Sequence, residues 1–153
     1  MVFGCPDGRV FYYVKKKEVQ IKKAVIELFI GSMTAYINGE VYTLDAAPYI
    51  KPPGRTMVPL RFISEGLGAT VDYWPKTGKV KEVYIYFKGK KITLYIGKNW
   101  ALIDGGKVYL DAAPEIKPPG RTFVPIRFIA ETFGADVGWD PTLRKVTITM
   151  EEE

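Results

Sequence analysis

The sequence of 153 residues contains no histidine and a single cysteine, Cys5. Histidine is the commonest general acid or base near neutral pH and a frequent metal ligand, so its absence removes the usual centre of catalysis and of copper or zinc binding. One cysteine cannot form an internal disulfide or a cysteine-rich metal site. The sequence therefore predicts no catalytic residue, no metal site and no cofactor.

Long hydrophobic runs are also absent. No apolar stretch approaches the roughly 20 residues of a membrane-spanning helix, and the N-terminus lacks the charged-then-apolar pattern of a signal peptide. We therefore expect no membrane insertion. If the protein is secreted, we expect this chain to be its processed form or an excised fragment.

The composition is that of a soluble globular protein, with 47% hydrophobic, 25% charged and 14% aromatic residues. The net charge of +5 could attract nucleic acid, anionic lipid or an acidic wall polymer, but so small an excess is more typical of general surface charge. Two basic clusters, Lys15–Lys17 and Lys88–Lys91, lie between apolar runs. This placement predicts hairpin turns rather than a recognition helix.

A large part of the sequence is duplicated at a distance of 66 residues. Residues 44–75 and 110–141 are identical at 22 of 32 positions without a gap. The same register holds upstream, where Ile26–Gly31 lies over Ile92–Gly97 and both segments keep apolar residues at alternate positions. A chance motif would not keep this period of two, so the duplication predicts a repeated structural unit.

Each copy begins with a pattern typical of antiparallel strands. Apolar residues alternate in Ile92–Ile96, and an Asp104-Gly105 pair follows between two further short strand segments. The first copy has Asn38-Gly39 at the equivalent turn. Asn-Gly and Asp-Gly predict tight hairpins because both residues tolerate positive φ. These segments therefore predict meanders of antiparallel strands.

A turn and a helix follow in each copy. Pro52–Arg55 has proline at the second position and glycine at the third, which predicts a type II turn leading into a strand. Pro59 suits the first turn of a helix, and the apolar spacing extends this helix to about Leu67, before Gly68. The second copy repeats the pattern from Pro125.

Each copy closes with a strand, predicted at Val80–Phe87 and at Val146–Met150. The first of these strands runs into the second copy without a linker, so we expect residues 15–150 to form a single domain of two repeats, at about 22–87 and 88–150. The segment Pro6–Val10 is similar to a closing turn and strand. It predicts either the closing strand of a preceding unit or an edge strand.

The segments Gly54–Arg61 and Gly120–Arg127 share the pattern Gly-Arg-Thr-x-Val-Pro-x-Arg, and the helix after each ends in Leu-Gly-Ala or Phe-Gly-Ala. Together with the hairpins and the Trp139-Asp140 pair, they resemble the domain family named after the N-terminal domain of copper amine oxidases, a repeat found in surface and cell-wall proteins of many bacteria. The resemblance covers about residues 21–150. The first copy departs from it, with Tyr73-Trp74 in place of Trp-Asp.

The resemblance implies an α+β fold in which antiparallel meander sheets are packed by short helices. In the oxidases this domain is a stalk remote from the copper and its redox cofactor, so the resemblance implies a non-catalytic module. It also implies an extracellular or cell-surface location, with partners among the other domains of a larger surface protein or a cell-wall polymer. A structural or interaction module is the leading hypothesis, a carbohydrate-binding module is the alternative, and an enzyme is third.

Charged residues in the first turn of each helix predict structural ion pairs. Arg61 and Arg127 lie near the positive end of a helix dipole and need a compensating partner. Glu65 and Glu131 lie four residues further on, where a helix brings side chains together. A structural pair is more typical of such residues than a ligand site.

Two further repeat-related sets of charged residues surround the tight turn. Asp45 and Asp111 precede Ala-Ala-Pro, where an aspartate commonly bonds its own backbone, and they are longer-range candidates as partners of the helix arginines. Arg55 and Arg121 follow the turn and could donate to backbone carbonyls. Two equivalent carboxylates give no reason for their pKa values to diverge, so glycosidase chemistry is a remote option.

Aromatic side chains near the predicted turns are candidate ligand contacts. Flat rings can stack on sugars or peptides, although tyrosine and tryptophan are also good core and strand residues. These candidates are Tyr49, Tyr73, Trp74, Trp100 and Trp139.

Single-stranded nucleic acid is a further candidate partner, because basic residues interleaved with aromatic ones suit such a ligand. The lysines that could form the patch are Lys22, Lys23, Lys88, Lys90 and Lys91. The sequence contains no recognised nucleic-acid motif. Nucleic acid therefore ranks below the wall-associated interpretation.

Overall fold

A computed structural model describes residues 2–4, 10–12 and 22–152 of the chain. Within these residues antiparallel strands predominate and two short helices are present, so the fold is α+β, as predicted. In the same part of the chain, no helix has the length and apolar character needed to cross a membrane.

The elements are numbered in chain order. An N-terminal hairpin contains β1 (Val2–Gly4) and β2 (Val10–Tyr12). The first copy provides β3 (Lys22–Phe29), β4 (Thr34–Ile37), β5 (Glu40–Thr43), β6 (Tyr49–Lys51), β7 (Arg55–Pro59), α1 (Leu60–Gly66), β8 (Thr70–Trp74) and β9 (Glu82–Phe87). The second copy provides β10 (Lys90–Tyr95), β11 (Trp100–Ile103), β12 (Gly106–Tyr109), β13 (Glu115–Lys117), β14 (Arg121–Pro125), α2 (Ile126–Phe133), β15 (Asp136–Asp140) and β16 (Lys145–Glu152).

The two copies complete each other's sheets. The first sheet has the order β5-β4-β3-β16-β15, and the second sheet has the order β12-β11-β10-β9-β8. Each therefore contains three strands of one copy and two of the other. β3 pairs with β16 along all eight residues of each strand, from Lys22 opposite Glu152 to Phe29 opposite Lys145.

A four-stranded central sheet, in the order β6-β7-β14-β13, joins the copies once more. Its two inner strands pair with Val58 opposite Val124 and Met57 opposite Pro125. Val58 and Val124 are equivalent residues of the repeat, 66 positions apart. The pairing is therefore symmetric about these two valines, and an approximate twofold axis relates the copies at this point.

Hydrophobic side chains fill both faces of the central sheet. Val58 and Val124 face the main core, which also contains the apolar faces of the first and second sheets and of both helices. The residues that precede these valines, Met57 on β7 and Phe123 on β14, point the other way, because side chains alternate along a strand. They form a small second core with Ala46, Tyr49 and Ala112.

Both helices begin near the predicted prolines. Pro59 and Pro125 are the N-cap residues and have extended backbones, with ψ of 117° and 141°. The sequence predicted each proline in the first turn of its helix, and each lies one position before that turn. Gly134 ends α2 with φ +70°, in the left-handed region that favours glycine.

The predicted hairpins are confirmed. Asn38-Gly39 joins β4 to β5, and Asp104-Gly105 joins β11 to β12. All four residues have positive φ, between 49° and 87°, as a type I′ turn requires. Lys88-Gly89 forms a turn of the same kind between β9 and β10, so this basic cluster is a hairpin turn, as predicted.

The proline-rich turn differs from the prediction of a type II turn over Pro52–Arg55, which is wrong. The Gly54 N–H donates to the Lys51 carbonyl oxygen at 2.9 Å, and the Pro52–Pro53 bond is cis, so the turn begins one residue earlier and is of type VI. The second copy has the same turn, with a cis Pro118–Pro119 bond. A cis X-Pro bond has no signature in the sequence, because its energy is close to that of the trans bond.

The N-terminal strands do not extend the larger sheets. β1 and β2 pair with each other in a two-stranded sheet, and the position beside β3 is occupied by β16. Cys5, residues 6–9 of the predicted closing turn and the basic cluster Lys15–Lys17 lie outside the described residues.

Candidate functional site

The arginines of the tight turns bind the aspartates of the opposite copy. Arg121 Nε donates to Asp45 Oδ2 at 2.7 Å, and Arg121 Nη2 donates to the same oxygen. Arg55 Nε lies 3.4 Å from both the Oδ2 atom and the carbonyl oxygen of Asp111. Each pair is the repeat equivalent of the other, so the contacts are reciprocal across the twofold axis. The hydrogen bonds from Arg121 hold the pKa of Asp45 below its usual value.

The helix arginines make weaker, local contacts. Arg61 and Arg127 face Glu65 and Glu131, and Nε lies 3.9 Å from Oε2 in both pairs. All four side chains are more than half exposed, so each pair contributes little to stability. The two aspartates considered as longer-range partners bind the turn arginines instead.

Equivalent residues that differ between the copies meet at Tyr49 and Glu115. Tyr49 of the first copy corresponds to Glu115 of the second, and the Tyr49 hydroxyl donates to Glu115 Oε1. Lys51 Nζ donates to Glu115 Oε2. Burial opposes ionisation of Glu115, but the hydrogen bonds from Lys51 and Tyr49 outweigh it and lower the pKa of Glu115. Burial and this carboxylate raise the pKa of Tyr49.

This contact places Tyr49 between the copies and not on an open surface. Its ring centroid lies 5.1 Å from that of Phe123 in the second core. Lys117 Nζ lies 5.1 Å from the centroid of the Tyr49 ring. A ligand would therefore have to displace existing contacts before it could stack on Tyr49.

Two other aromatic candidates, Tyr73 and Trp139, are equivalent residues on the edge strands β8 and β15. Each lies opposite a buried valine, Val83 or Val146, so both are on the core side of their sheets. Arg61 and Lys76 lie against the Tyr73 ring, with Lys76 Nζ 4.8 Å from its centroid. Trp139 remains 48% exposed at its edge.

The remaining candidates, Trp74 and Trp100, lie on the outer face of the second sheet, opposite the main core. Cross-strand pairing places one side chain from each strand in a line across this face, which we name the aromatic row. The row consists of Trp74, Glu82, Tyr95, Trp100 and Tyr109. Trp74 is 50% exposed and Tyr109 is 69% exposed at its two ends. Tyr95 and Trp100 are in contact, with ring centroids 4.7 Å apart.

Two further tyrosines, Tyr84 and Tyr86, lie beside the aromatic row on the same face. Lys91 Nζ lies 4.8 Å from the centroid of the Tyr84 ring. Lys107 Nζ lies above two rings of the row, 4.7 Å from the centroid of Trp100 and 5.3 Å from that of Tyr109.

The first sheet has no such row on its equivalent face. Thr34 and Thr43 occupy the positions that correspond to Trp100 and Tyr109. Lys145 Nζ donates to Glu27 Oε2 at 3.0 Å across the same face. Threonine suits a strand as well as an aromatic residue does, so strand formation alone does not require the aromatic row.

Sequence reasoning identified both tryptophans of this face but missed its four tyrosines. Tyr84 and Tyr86 alternate with buried residues, a period of two that places both on one side of a strand. Tyr95 and Tyr109 have Phe29 and Thr43 at the equivalent positions of the first copy. This alternation is visible in the sequence. The alignment of side chains from different strands in one row depends on the strand register, which the sequence does not show.

A recess of about 220 Å³ adjoins the end of the row. It is lined by Tyr109, Leu110, Asp111, Arg127, Phe128 and Glu131. Its charged groups already have partners, because Asp111 faces Arg55 and Arg127 faces Glu131. Within the described ranges, no group of three or more histidine, cysteine or acidic side chains is placed to hold a metal ion.

The lysines proposed as a nucleic-acid patch belong to different sheets. Lys22 and Lys23 lie on β3 of the first sheet, where Lys23 Nζ is 3.9 Å from Glu151 Oε1. Lys88, Lys90 and Lys91 lie at the β9–β10 hairpin of the second sheet. The five residues therefore do not line one strand or one hairpin.

Comparison with protein families gives two matches to one family model. The model of the copper amine oxidase N-terminal domain matches residues 3–82 and residues 77–148. The two matches overlap at residues 77–82, which extend from the segment between β8 and β9 to the first residue of β9. No curated protein and no solved structure matches the chain.

Proposed function

Because the chain belongs to the copper amine oxidase N-terminal domain family, we propose that it is a non-catalytic structural and interaction module of a larger bacterial protein. We place this protein outside the cell or at the cell surface, with its own further domains or a wall polymer as partners. Family membership supports the accessory role. The location and the partners rest on the kind of surface protein in which such domains occur.

The reciprocal contacts between the copies support the structural role in this proposal. The most specific sequence motif supplies the tight turn, the central strand and the helix start, and its turn arginines bind aspartates of the other copy. These residues hold two halves of one fold together. They do not converge on a substrate.

Replacing a turn arginine should therefore lower stability more than replacing a helix arginine. Arg121→Ala removes two hydrogen bonds to Asp45 that cross the axis. We expect it to lower the free energy of unfolding by about 1 kcal/mol, the upper end for exposed ion pairs. Arg127→Ala removes a single exposed pair at 3.9 Å and serves as the matched control. Urea unfolding of both variants measures the difference.

The double variant with Asp45→Ala identifies the source of this effect. If Arg121 acts through Asp45, the double variant should be little less stable than Arg121→Ala alone. Equal losses in Arg121→Ala and Arg127→Ala would contradict the structural role of the cross-copy contact.

Carbohydrate binding is a second proposed function, and a specific observation favours it. The aromatic row places four rings across the outer face of the second sheet, whereas the equivalent face of the first sheet carries the pair Phe29 and Tyr36. Aromatic rings provide large, rigid contact areas with little loss of side-chain entropy, and such surfaces suit the apolar faces of sugar rings. Retarded migration of the chain in a native gel that contains a soluble polysaccharide would test this function, and unchanged migration would count against it.

A further inference from the structure

The aromatic row has the spacing of an extended polymer that crosses the sheet. Its five side chains come from five neighbouring strands, and neighbouring strands lie about 4.8 Å apart. Trp74 and Tyr109 at the two ends are therefore separated by four strand spacings, about 19 Å. One strand spacing is close to the length that each sugar unit adds to an extended β-1,4-linked glycan. A ligand along the row would thus present about one sugar unit to each strand.

The charges on this face favour a neutral ligand. The outward positions of the five strands carry two carboxylates and two ammonium groups, so their formal charges cancel. These residues are Asp72, Glu82, Lys91 and Lys107. A polyanion such as nucleic acid or teichoic acid needs a net excess of cations along its backbone. Lys76 binds Asp72 from the turn after β8 and adds a single positive charge, so the face offers rings and hydrogen-bonding groups rather than such an excess.

The shape of the row favours a single chain over a flat surface. The rings of Tyr95 and Trp100 are inclined to each other by 40°, and a sheet turns by about 20–25° from strand to strand. Crystalline polysaccharide presents a flat face that these inclined rings cannot cover together. A single glycan chain in solution can twist with the sheet.

The side chain of Lys107 covers two rings of the row and is long enough to move. Its Nζ atom lies above the rings of Trp100 and Tyr109, where a sugar ring would stack. The long lysine side chain can turn aside and donate to the hydroxyl groups of the sugar. The ring of Tyr109, which is 69% exposed, is the most open stacking surface of the row.

We propose that the outer face of the second sheet binds a single chain of a neutral, extended β-1,4-linked glycan, lying across the strands along the aromatic row. This inference rests on the carbohydrate-binding function proposed above and specifies its ligand and its direction on the sheet. Trp74 and Tyr109 hold the two ends of the bound segment, and Tyr95 and Trp100 hold its middle.

Calorimetric titration of the full chain with soluble cello- and chito-oligosaccharides tests the proposal. A hexasaccharide spans the row and should bind at least about tenfold more tightly than the corresponding disaccharide. Trp74→Ala and Tyr109→Ala should each weaken hexasaccharide binding about tenfold, as expected for the loss of one stacked ring. Both side chains are at least half exposed, so both variants should fold, and thermal unfolding would verify this.

A control variant and a salt titration distinguish stacking on the aromatic row from binding to the first sheet and from attraction by charge. Tyr36→Ala removes an aromatic residue from the outer face of the first sheet and should leave binding unchanged. Raising the salt concentration should change the affinity for a neutral glycan by less than about threefold.

Three results would overturn the proposal. Oligosaccharide binding that survives both end variants would place the site elsewhere while leaving carbohydrate binding intact. Preferential binding of oligo(dT) or teichoic acid, lost in Lys107→Gln or at high salt, would show a polyanion site instead. Binding to none of these ligands would remove carbohydrate binding altogether, without affecting the structural role tested by Arg121→Ala.

Discussion

Neither half of the chain, residues 1–88 or residues 89–153, should fold when it is produced alone. A break in the Lys88-Gly89 turn separates β9 from β10 and leaves β3 without β16 and β7 without β14. Each half then retains pieces of all three large sheets but completes none of them. The exposed strand edges and core faces favour aggregation. A break after Lys79 has the same consequence, because β3 and β7 still lose their partners.

Far-ultraviolet circular dichroism and amide proton dispersion of each half measure this result. We expect both halves to lack cooperative unfolding, and an equimolar mixture refolded from urea to recover the spectrum of the intact chain. Intact chain cut between Lys88 and Gly89 after folding provides the control, since its fragments should stay associated. Reversible, cooperative folding of either half alone would contradict the mutual completion of the sheets.

Phe123→Ala should cause the largest loss of stability among single substitutions near the axis. Phe123 is fully buried, and it fills the second core between Met57 and the ring of Tyr49. Removing a buried phenylalanine costs about 3–5 kcal/mol through lost burial and the cavity left behind. The second core is small and its other members belong to both copies, so few neighbours can relax into the cavity.

The matched control for this substitution is Ile116→Ala on the adjacent strand. Ile116 lies one residue from the partner of Phe123 and is 36% exposed, so its loss should cost less than about 1 kcal/mol. Urea unfolding at neutral pH gives both values. A loss below about 1.5 kcal/mol in Phe123→Ala would show that the second core contributes little to holding the copies together.

Local features of the fold were predictable because they depend on neighbouring residues. Asn38-Gly39 and Asp104-Gly105 specify their turns by their own φ preferences. The helices after Pro59 and Pro125 follow from the spacing of apolar residues and from the glycines that end them. The duplication itself predicted that each element would occur twice.

Pairing between distant strands was not predictable from the same patterns. An alternating strand such as Ile92–Ile96 shows which side chains are buried but not which strand lies beside it. β9 of the first copy lies in the second sheet, and β16 of the second copy lies in the first sheet. This exchange of strands buries the same alternate side chains as an arrangement in which each strand stayed with its own copy. Consequently the partners of Arg55 and Arg121, and the alignment of the aromatic row, required the structure.

The two copies also have different residues at a position where identical residues would be unfavourable. A strictly repeated sequence would place two glutamates or two tyrosines face to face across the axis. Tyr49 and Glu115 instead form a donor–acceptor pair, supported by Lys51. This difference favours pairing of the first copy with the second over pairing of either copy with itself.

The central claim is that the two copies within one molecule exchange the strands β9 and β16. Nuclear Overhauser contacts between backbone protons test this claim most directly. We predict contacts between Ile26 and Ile148 and between Val58 and Val124. In a mixture of isotope-labelled and unlabelled chains, these contacts should appear only within one molecule. Contacts of Ile26 with Ile85 of its own copy, or Ile26–Ile148 contacts only between different molecules, would contradict the claim.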